Sequence, residues 1–160
     1  MNKNFYLGSI AVGGILGAVL IAVGQMPLGL LLSVYAGVVA LVMWYKAWKA
    51  IQDGHARTTP GKAVGFLFIP FFNLYWIFQA FWGFAKDYNS YLSRHGMSVA
   101  QLSTGLFLIY CILILVSLVT QWIPVLGSVI GIVNWVILLL IVNSVCDGVN
   151  KLPQTTEAPA

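Results

Sequence analysis

The chain has 160 residues, of which 60% are hydrophobic and only 8% charged, with a net charge of +4. That composition leaves no room for a separate soluble domain and predicts an all-α integral membrane protein, one membrane domain over residues 1–151. So small a positive charge reports topology and attraction to anionic lipid, not nucleic-acid binding.

Two apolar runs open the chain, at residues 6–24 and 28–45, and neither contains a charged residue. Each approaches the roughly 20 residues that a helix needs to cross about 30 Å of hydrocarbon while satisfying its own backbone. Lys3, the first run and Ala22-Val23-Gly24 have the outline of a signal peptide, but the run exceeds a usual signal core and reads as a retained span. The turn Gln25-Met26-Pro27 makes the pair a hairpin, with Pro27 at a helix start where its missing N–H costs nothing. Gly13 and Gly17, four apart, put small residues on one helix face and predict close helix packing.

Residues 46–62 then form a basic loop with Lys46, Trp48, Lys49, Arg57 and Lys62. Gly54 is the expected stop of the second helix. The segment 63–87 is long enough to cross but rich in aromatics and interrupted by Pro70 and Asn73. Pro70 removes a helical hydrogen bond and disfavours the α region at Ile69, so the chain is expected to break there. From Phe71 onward a helical projection gathers Asn73, Gln79, Ala80, Gly83, Lys86 and Asp87 on one side. Phe71, Leu74, Phe78, Phe81, Trp82 and Ala85 gather on the other. That pattern predicts an interfacial or re-entrant aromatic helix, with Trp76 and Trp82 at the headgroup level.

A second basic loop with Lys86, Tyr88 and Arg94 leads to two further uncharged runs, 102–122 and 125–145, joined by Ile123-Pro124. Gly127 and Gly131 repeat the small-residue spacing of the first hairpin, and Asn134 is the expected interhelical hydrogen-bonding residue. Cys111 and Cys146 have no metal or redox spacing and read as free buried thiols. Residues 152–160, rich in Pro, Thr and Ala, are expected to be disordered. Their LPQTT has the look of a sortase signal, but Thr156 stands where that signal needs Gly.

All eight basic residues lie outside the two tight turns. If 63–85 does not cross, all eight fall on one face, as the bias of cytoplasmic loops toward Lys and Arg favours. The expected arrangement is therefore four transmembrane helices as two hairpins, both termini cytoplasmic, with the aromatic helix between them. The alternative is five crossings.

The run Trp44-Tyr45-Lys46-Ala47-Trp48, followed by Thr59-Pro60-Gly61-Lys62-Ala63-Val64-Gly65 and Ile69-Pro70-Phe71-Phe72-Asn73-Leu74, resembles a family of uncharacterised bacterial multi-pass membrane proteins, a domain of unknown function. Its pattern is T/S-P-x-x-A-V-G-x-x-x-I-P-x-x-N-L, sometimes found behind a GYF-like domain that this sequence lacks. The resemblance covers about residues 44–89. It implies a bacterial inner-membrane location and brings no activity.

An ion-coupled transporter keeps a charged group within the bilayer, and the four predicted spans contain none. Asp53, His55, Asp87, Arg94 and His95 are the candidates for metal or acid–base chemistry, but nothing resembles a metalloprotease helix, a nucleophile elbow or a phosphate loop. No catalytic residue, metal or cofactor is predicted, and the expected function is not enzymatic. It is a membrane module acting through self-assembly, or through lipid or a membrane-protein partner held on Lys46, Trp48, Lys49, Arg57, Lys62, Trp76, Trp82, Lys86, Tyr88 and Arg94. The alternative is a small oligomeric channel, pore or membrane-perturbing effector.

Overall fold

The structure, a computed structural model, describes residues 1–153. All of its regular elements are helical: α1 Lys3–Ala22, α2 Met26–Ala50, α3 Pro60–Gly65, α4 Phe72–Ile77, α5 Gly83–Arg94, α6 Thr104–Thr120 and α7 Pro124–Asn150. A 3₁₀ turn, Phe66–Phe68, follows α3, and a π turn, Phe78–Trp82, joins α4 to α5. Three helices are long and apolar enough to cross a membrane: α1, α2 and, from Val125, α7. The fourth apolar helix, α6, has 17 residues, a rise of about 25 Å.

Side-chain caps account for several helix starts. Asn2 accepts the Phe5 N–H at 3.1 Å and Ser103 accepts that of Leu106 at 3.3 Å. Thr59 does the same for Lys62 at 3.4 Å, with Pro60 in the first turn of α3. Helix ends depart from the apolar runs. The run 28–45 is followed by five further residues of α2, because Ala47 and Trp48 are buried. Likewise α7 passes 145 to Asn150, since Cys146 and Val149 are buried and Asp147 pairs with Lys3. Both α6 ends fall inside 102–122. Gly54, expected to stop α2, lies beyond its Ile51 cap, in the loop at φ 84°. Leu152 corrects the start expected for the disordered tail: it is buried in the core, and its N–H bonds to the Val149 carbonyl. The rest of that predicted tail, 154–160, lies outside the described residues.

α1 packs along α2 and α6 along α7, each pair joined by a tight turn. The core is not centred. It occupies the end that carries the charged residues, with Met43, Trp44 and Trp48 of α2, Phe84 and Tyr88 of α5, Phe107 and Cys111 of α6, and Ile141, Val142, Val145 and Cys146 of α7. At the opposite end the turns are exposed and uncharged, with Val23 at 66% and Trp122 at 83%.

Between the hairpins, α3 and its 3₁₀ turn run out to Pro70-Phe71, where the chain reverses into a continuous helical stretch from Phe72 to Arg94. The reversal is a γ-turn. The Phe72 N–H reaches the Pro70 carbonyl at 2.7 Å, and Phe71 holds φ 61° and ψ −41°, a rare and strained conformation for a bulky residue. Phe66, Phe72 and Trp76 pack as one aromatic cluster that closes the hairpin, Phe66 to Trp76 at 4.8 Å between ring centres. The Trp76 indole N–H also donates to the Ala63 carbonyl at 3.1 Å.

The π turn corrects the face expected for this helix. The Gly83 N–H skips to the Phe78 carbonyl, five residues back, so the side-chain frame advances and carbonyls come free. The Ala80 carbonyl accepts the Trp48 indole N–H at 3.1 Å, and Cys111 Sγ donates to the Ile77 carbonyl at 3.6 Å. Ala80, expected on the polar side, is therefore buried; Phe71 and Leu74, expected inward, precede the π turn and are exposed at 88% and 38%, Phe71 because it sits at the reversal itself. A steady 100° projection cannot anticipate that shift.

Candidate functional site

The polar chemistry of the chain collects around the loop after α2. Arg57 lies across α5 and the π turn. Its Nε and Nη2 donate to the Asp87 carboxylate at 2.8–3.1 Å, and its backbone N–H adds a bond at 2.9 Å. Nη1 donates to Gln79 Oε1 at 3.1 Å, and Gln79 Nε2 donates to the Tyr75 hydroxyl at 2.9 Å. Gly83 is the seat of this side chain, since a Cβ there would stand 2.8 Å from Arg57 Nη1 and 3.0 Å from its Cδ. Gln79, Gly83 and Asp87, four apart, thus present one face to one guanidinium. A forked, charge-assisted pair with a carboxylate only 12% exposed is geometrically specific, unlike a loose surface pair.

A second pair fixes the loop from the other side. Arg94 donates from Nε and Nη2 to Asp53 Oδ2 at 3.0 and 2.7 Å, and the His55 N–H donates to Asp53 Oδ1 at 3.0 Å. Desolvation raises the Asp53 pKa, but the Arg94 and His55 hydrogen bonds and charges outweigh it and hold the carboxyl below its ordinary 3.8. A carboxyl with a depressed native pKa contributes stability that is complete above the ordinary value and lost as pH falls through the native one. Thermal unfolding of Arg94→Gln should therefore differ from wild type at neutral pH and converge with it below 3.8. A difference that persists or grows in acid would assign Arg94 another role.

The basic face expected from the sequence is divided by the structure. Arg57 and Arg94 are committed to Asp87 and Asp53. Trp48 and Tyr88, expected on that face, are corrections: both are fully buried, because the π turn offers Trp48 a carbonyl and Gly148 leaves room for the Tyr88 hydroxyl. Lys86 lies over the Trp82 ring at 3.2 Å, and Lys46 over Tyr6 at 5.7 Å, both as cation–π contacts. Lys49 and Lys62 are exposed and make no ion pair among the described residues. Asn73 is half-buried two residues past the Phe71 turn.

The small-residue positions also divide. Cβ atoms built at Gly13 and Gly17 would stand 3.1 Å from Ala36 Cβ and 2.5 Å from Ser33 Oγ, so both lie at the α1–α2 crossing. Gly127 abuts the end of α6, 2.7 Å from the Thr120 carbonyl oxygen, whereas nothing lies within 4 Å at Gly131. Gly131 is thus not a packing position within one chain, and the repeat expected between hairpins is broken there. Among the described residues the buried Oδ1 of Asn134 accepts no hydrogen bond.

Three features had little signal in the sequence. Gly29 meets Gly17 backbone to backbone, although it sits in the turn motif rather than in a four-residue spacing. Asn89 clamps the chain entering α6, accepting the Leu102 N–H at 2.8 Å and donating to its carbonyl at 2.9 Å. Lys3 pairs with Asp147 at 2.8 Å, and the N-terminal amine donates to Asn150 beside it.

Among the described residues no three of His, Cys, Asp and Glu are grouped to hold a metal ion. A cavity of about 490 Å³ opens beside the Arg57 cluster, lined by Gln52, Arg57, Thr59, Lys62, Phe66 and Trp76. Its walls are polar on the loop side and aromatic on the hairpin side. No family model, curated protein or solved structure matches the chain.

Proposed function

We propose that this chain is a non-catalytic membrane module that crosses the bilayer four times, with α1, α2, α6 and α7 as spans and both termini on the cytoplasmic face. The hairpin from Pro60 to Arg94 enters from that face and returns to it. Depth supports this reading. Asn89 meets Leu102, just before α6, and Ile77 meets Cys111 within it, so the stretch 77–89, about 18 Å long, reaches only about 10 Å along α6. From Lys86 to Phe72 the helix rises only about 21 Å, short of the roughly 30 Å of hydrocarbon, and it descends at a slant.

One observation carries the functional reading: the free cations, the ion-paired loop and the polar cavity share one end with the packed core, while the turns at the other end are exposed and uncharged. A rigid, basic and aromatic face suits anionic lipid headgroups or an acidic membrane partner. The resemblance over residues 44–89 supports a bacterial inner membrane.

Alkaline phosphatase fused after Arg94 or after Lys151 should be inactive, and a cytoplasmic fluorescent reporter at the same sites bright. Active phosphatase at either site would overturn the four-span topology.

A further inference from the structure

We propose that the cavity between the 52–59 loop and the aromatic hairpin is a binding site for the phosphodiester headgroup of an anionic glycerophospholipid. The inference rests on the lipid-binding face proposed above and narrows it to one place. The cavity's lining changes character across its width. Gln52, Arg57, Thr59 and Lys62 supply amide, guanidinium, hydroxyl and ammonium groups, whereas Phe66 and Trp76 supply rings. A phospholipid has the same division, a charged phosphate joined through glycerol to hydrocarbon. Beyond the rings the hairpin continues as exposed apolar surface, with Phe68 at 69% and Phe72 at 39%. Acyl chains leaving the cavity on that side would find hydrocarbon-compatible side chains to lie on.

Charge decides which headgroup fits. Asp87 neutralises Arg57, so the net charge at the cavity is that of Lys62, whose ammonium makes no ion pair among the described residues. Arg57 is nevertheless held rigid by Asp87, Gln79 and its seat on Gly83. Its remaining N–H bonds are thereby available as fixed donors, which a phosphate oxygen accepts well. One uncompensated cation beside a fixed donor array selects a lipid of net charge −1, such as phosphatidylglycerol, over zwitterionic phosphatidylcholine. Lys49 is a built-in comparison: it is exposed and unpaired at the same end but does not line the cavity.

The test is native mass spectrometry of the full chain, released from detergent containing equal phosphatidylglycerol and phosphatidylcholine. Wild type should retain phosphatidylglycerol in preference. Lys62→Gln should weaken that retention about fivefold, the worth of one basic residue near an anionic surface, while Lys49→Gln should leave it unchanged. Soluble glycerol phosphate in millimolar excess should not displace the lipid. If Lys62→Gln and Lys49→Gln lower retention equally, charge acts diffusely: the site is wrong though the lipid-binding face stands. Displacement by glycerol phosphate would make this a site for a soluble phosphate ester and overturn the lipid assignment. No preference in wild type would remove both readings.

Discussion

Trp48→Ala should destabilise the protein by about 3–5 kcal/mol, the range for emptying a fully buried large aromatic site. The indole is completely buried and meets Phe84 edge to face at 5.3 Å. Its N–H is also a partner of the π turn, donating to the Ala80 carbonyl at 3.1 Å. Alanine therefore leaves a cavity and removes a donor from a carbonyl in the irregular turn, a group that costs about 1–3 kcal/mol when orphaned in a buried site. The two costs overlap and do not simply add. Trp48→Phe separates them: it keeps most of the ring volume, loses the hydrogen bond, and should cost about 1–2 kcal/mol. Trp122→Ala is the control, because Trp122 is 83% exposed. Thermal unfolding in detergent should rank Trp48→Ala well below Trp48→Phe, with Trp122→Ala near wild type. Equal losses at Trp48 and Trp122 would mean that the basic end is not the structural core.

That contrast marks what the sequence discloses here and what it does not. Apolar runs long enough to cross hydrocarbon are read directly, because helix length and bilayer thickness are matched by a simple rise per residue. The break at Pro70 is similarly local chemistry. Side-chain direction in the middle segment is not, because a single π turn moves every residue after it relative to those before. Ala80 joins the core for that reason, and Trp48 finds its partner there. Trp48 follows Lys46 and precedes Lys49, so its neighbours suggest an interfacial belt while its own position on α2 faces inward.

Charges were legible as a distribution but not as pairs. Eight basic residues against four acidic ones leave an excess of cations, and the sequence cannot say which are spent. Arg57 reaches Asp87 and Arg94 reaches Asp53 across separations of 30 and 41 residues. These crossed pairs consume the two arginines, Asp147 takes Lys3, and Lys49 and Lys62 are left exposed without an ion pair among the described residues, which converts a uniformly basic belt into a few discrete positions. Arg is suited to the fixed roles because its planar fork binds a carboxylate at two points, while a lysine ammonium stays hydrated and mobile.

The glycine positions give the second large effect, with opposite signs on two helices. At Gly29 an added Cβ would stand 2.7 Å from the Gly17 carbonyl oxygen and 2.9 Å from the Ile21 N. Both are backbone atoms, so α1 and α2 must separate for even one methyl group. Helix association within a bilayer depends on close packing rather than on expulsion of water, so the separation is felt along the whole crossing. Gly29→Ala should cost about 1–3 kcal/mol, and Gly17→Leu at least as much. Gly131→Ala should behave oppositely. Nothing stands within 4 Å of its position, and an exposed helical glycine gains up to about 1 kcal/mol on becoming alanine. Unfolding in detergent, read together with oligomer size, checks both signs. Gly29→Ala should melt earlier and Gly131→Ala at or above wild type, each with unchanged mass. A Gly131→Ala protein that melts as early as Gly29→Ala, or that loses a wild-type oligomer, would place a second copy's helix against α7. That result would move Gly131 from open surface to interface and give self-assembly a residue of its own.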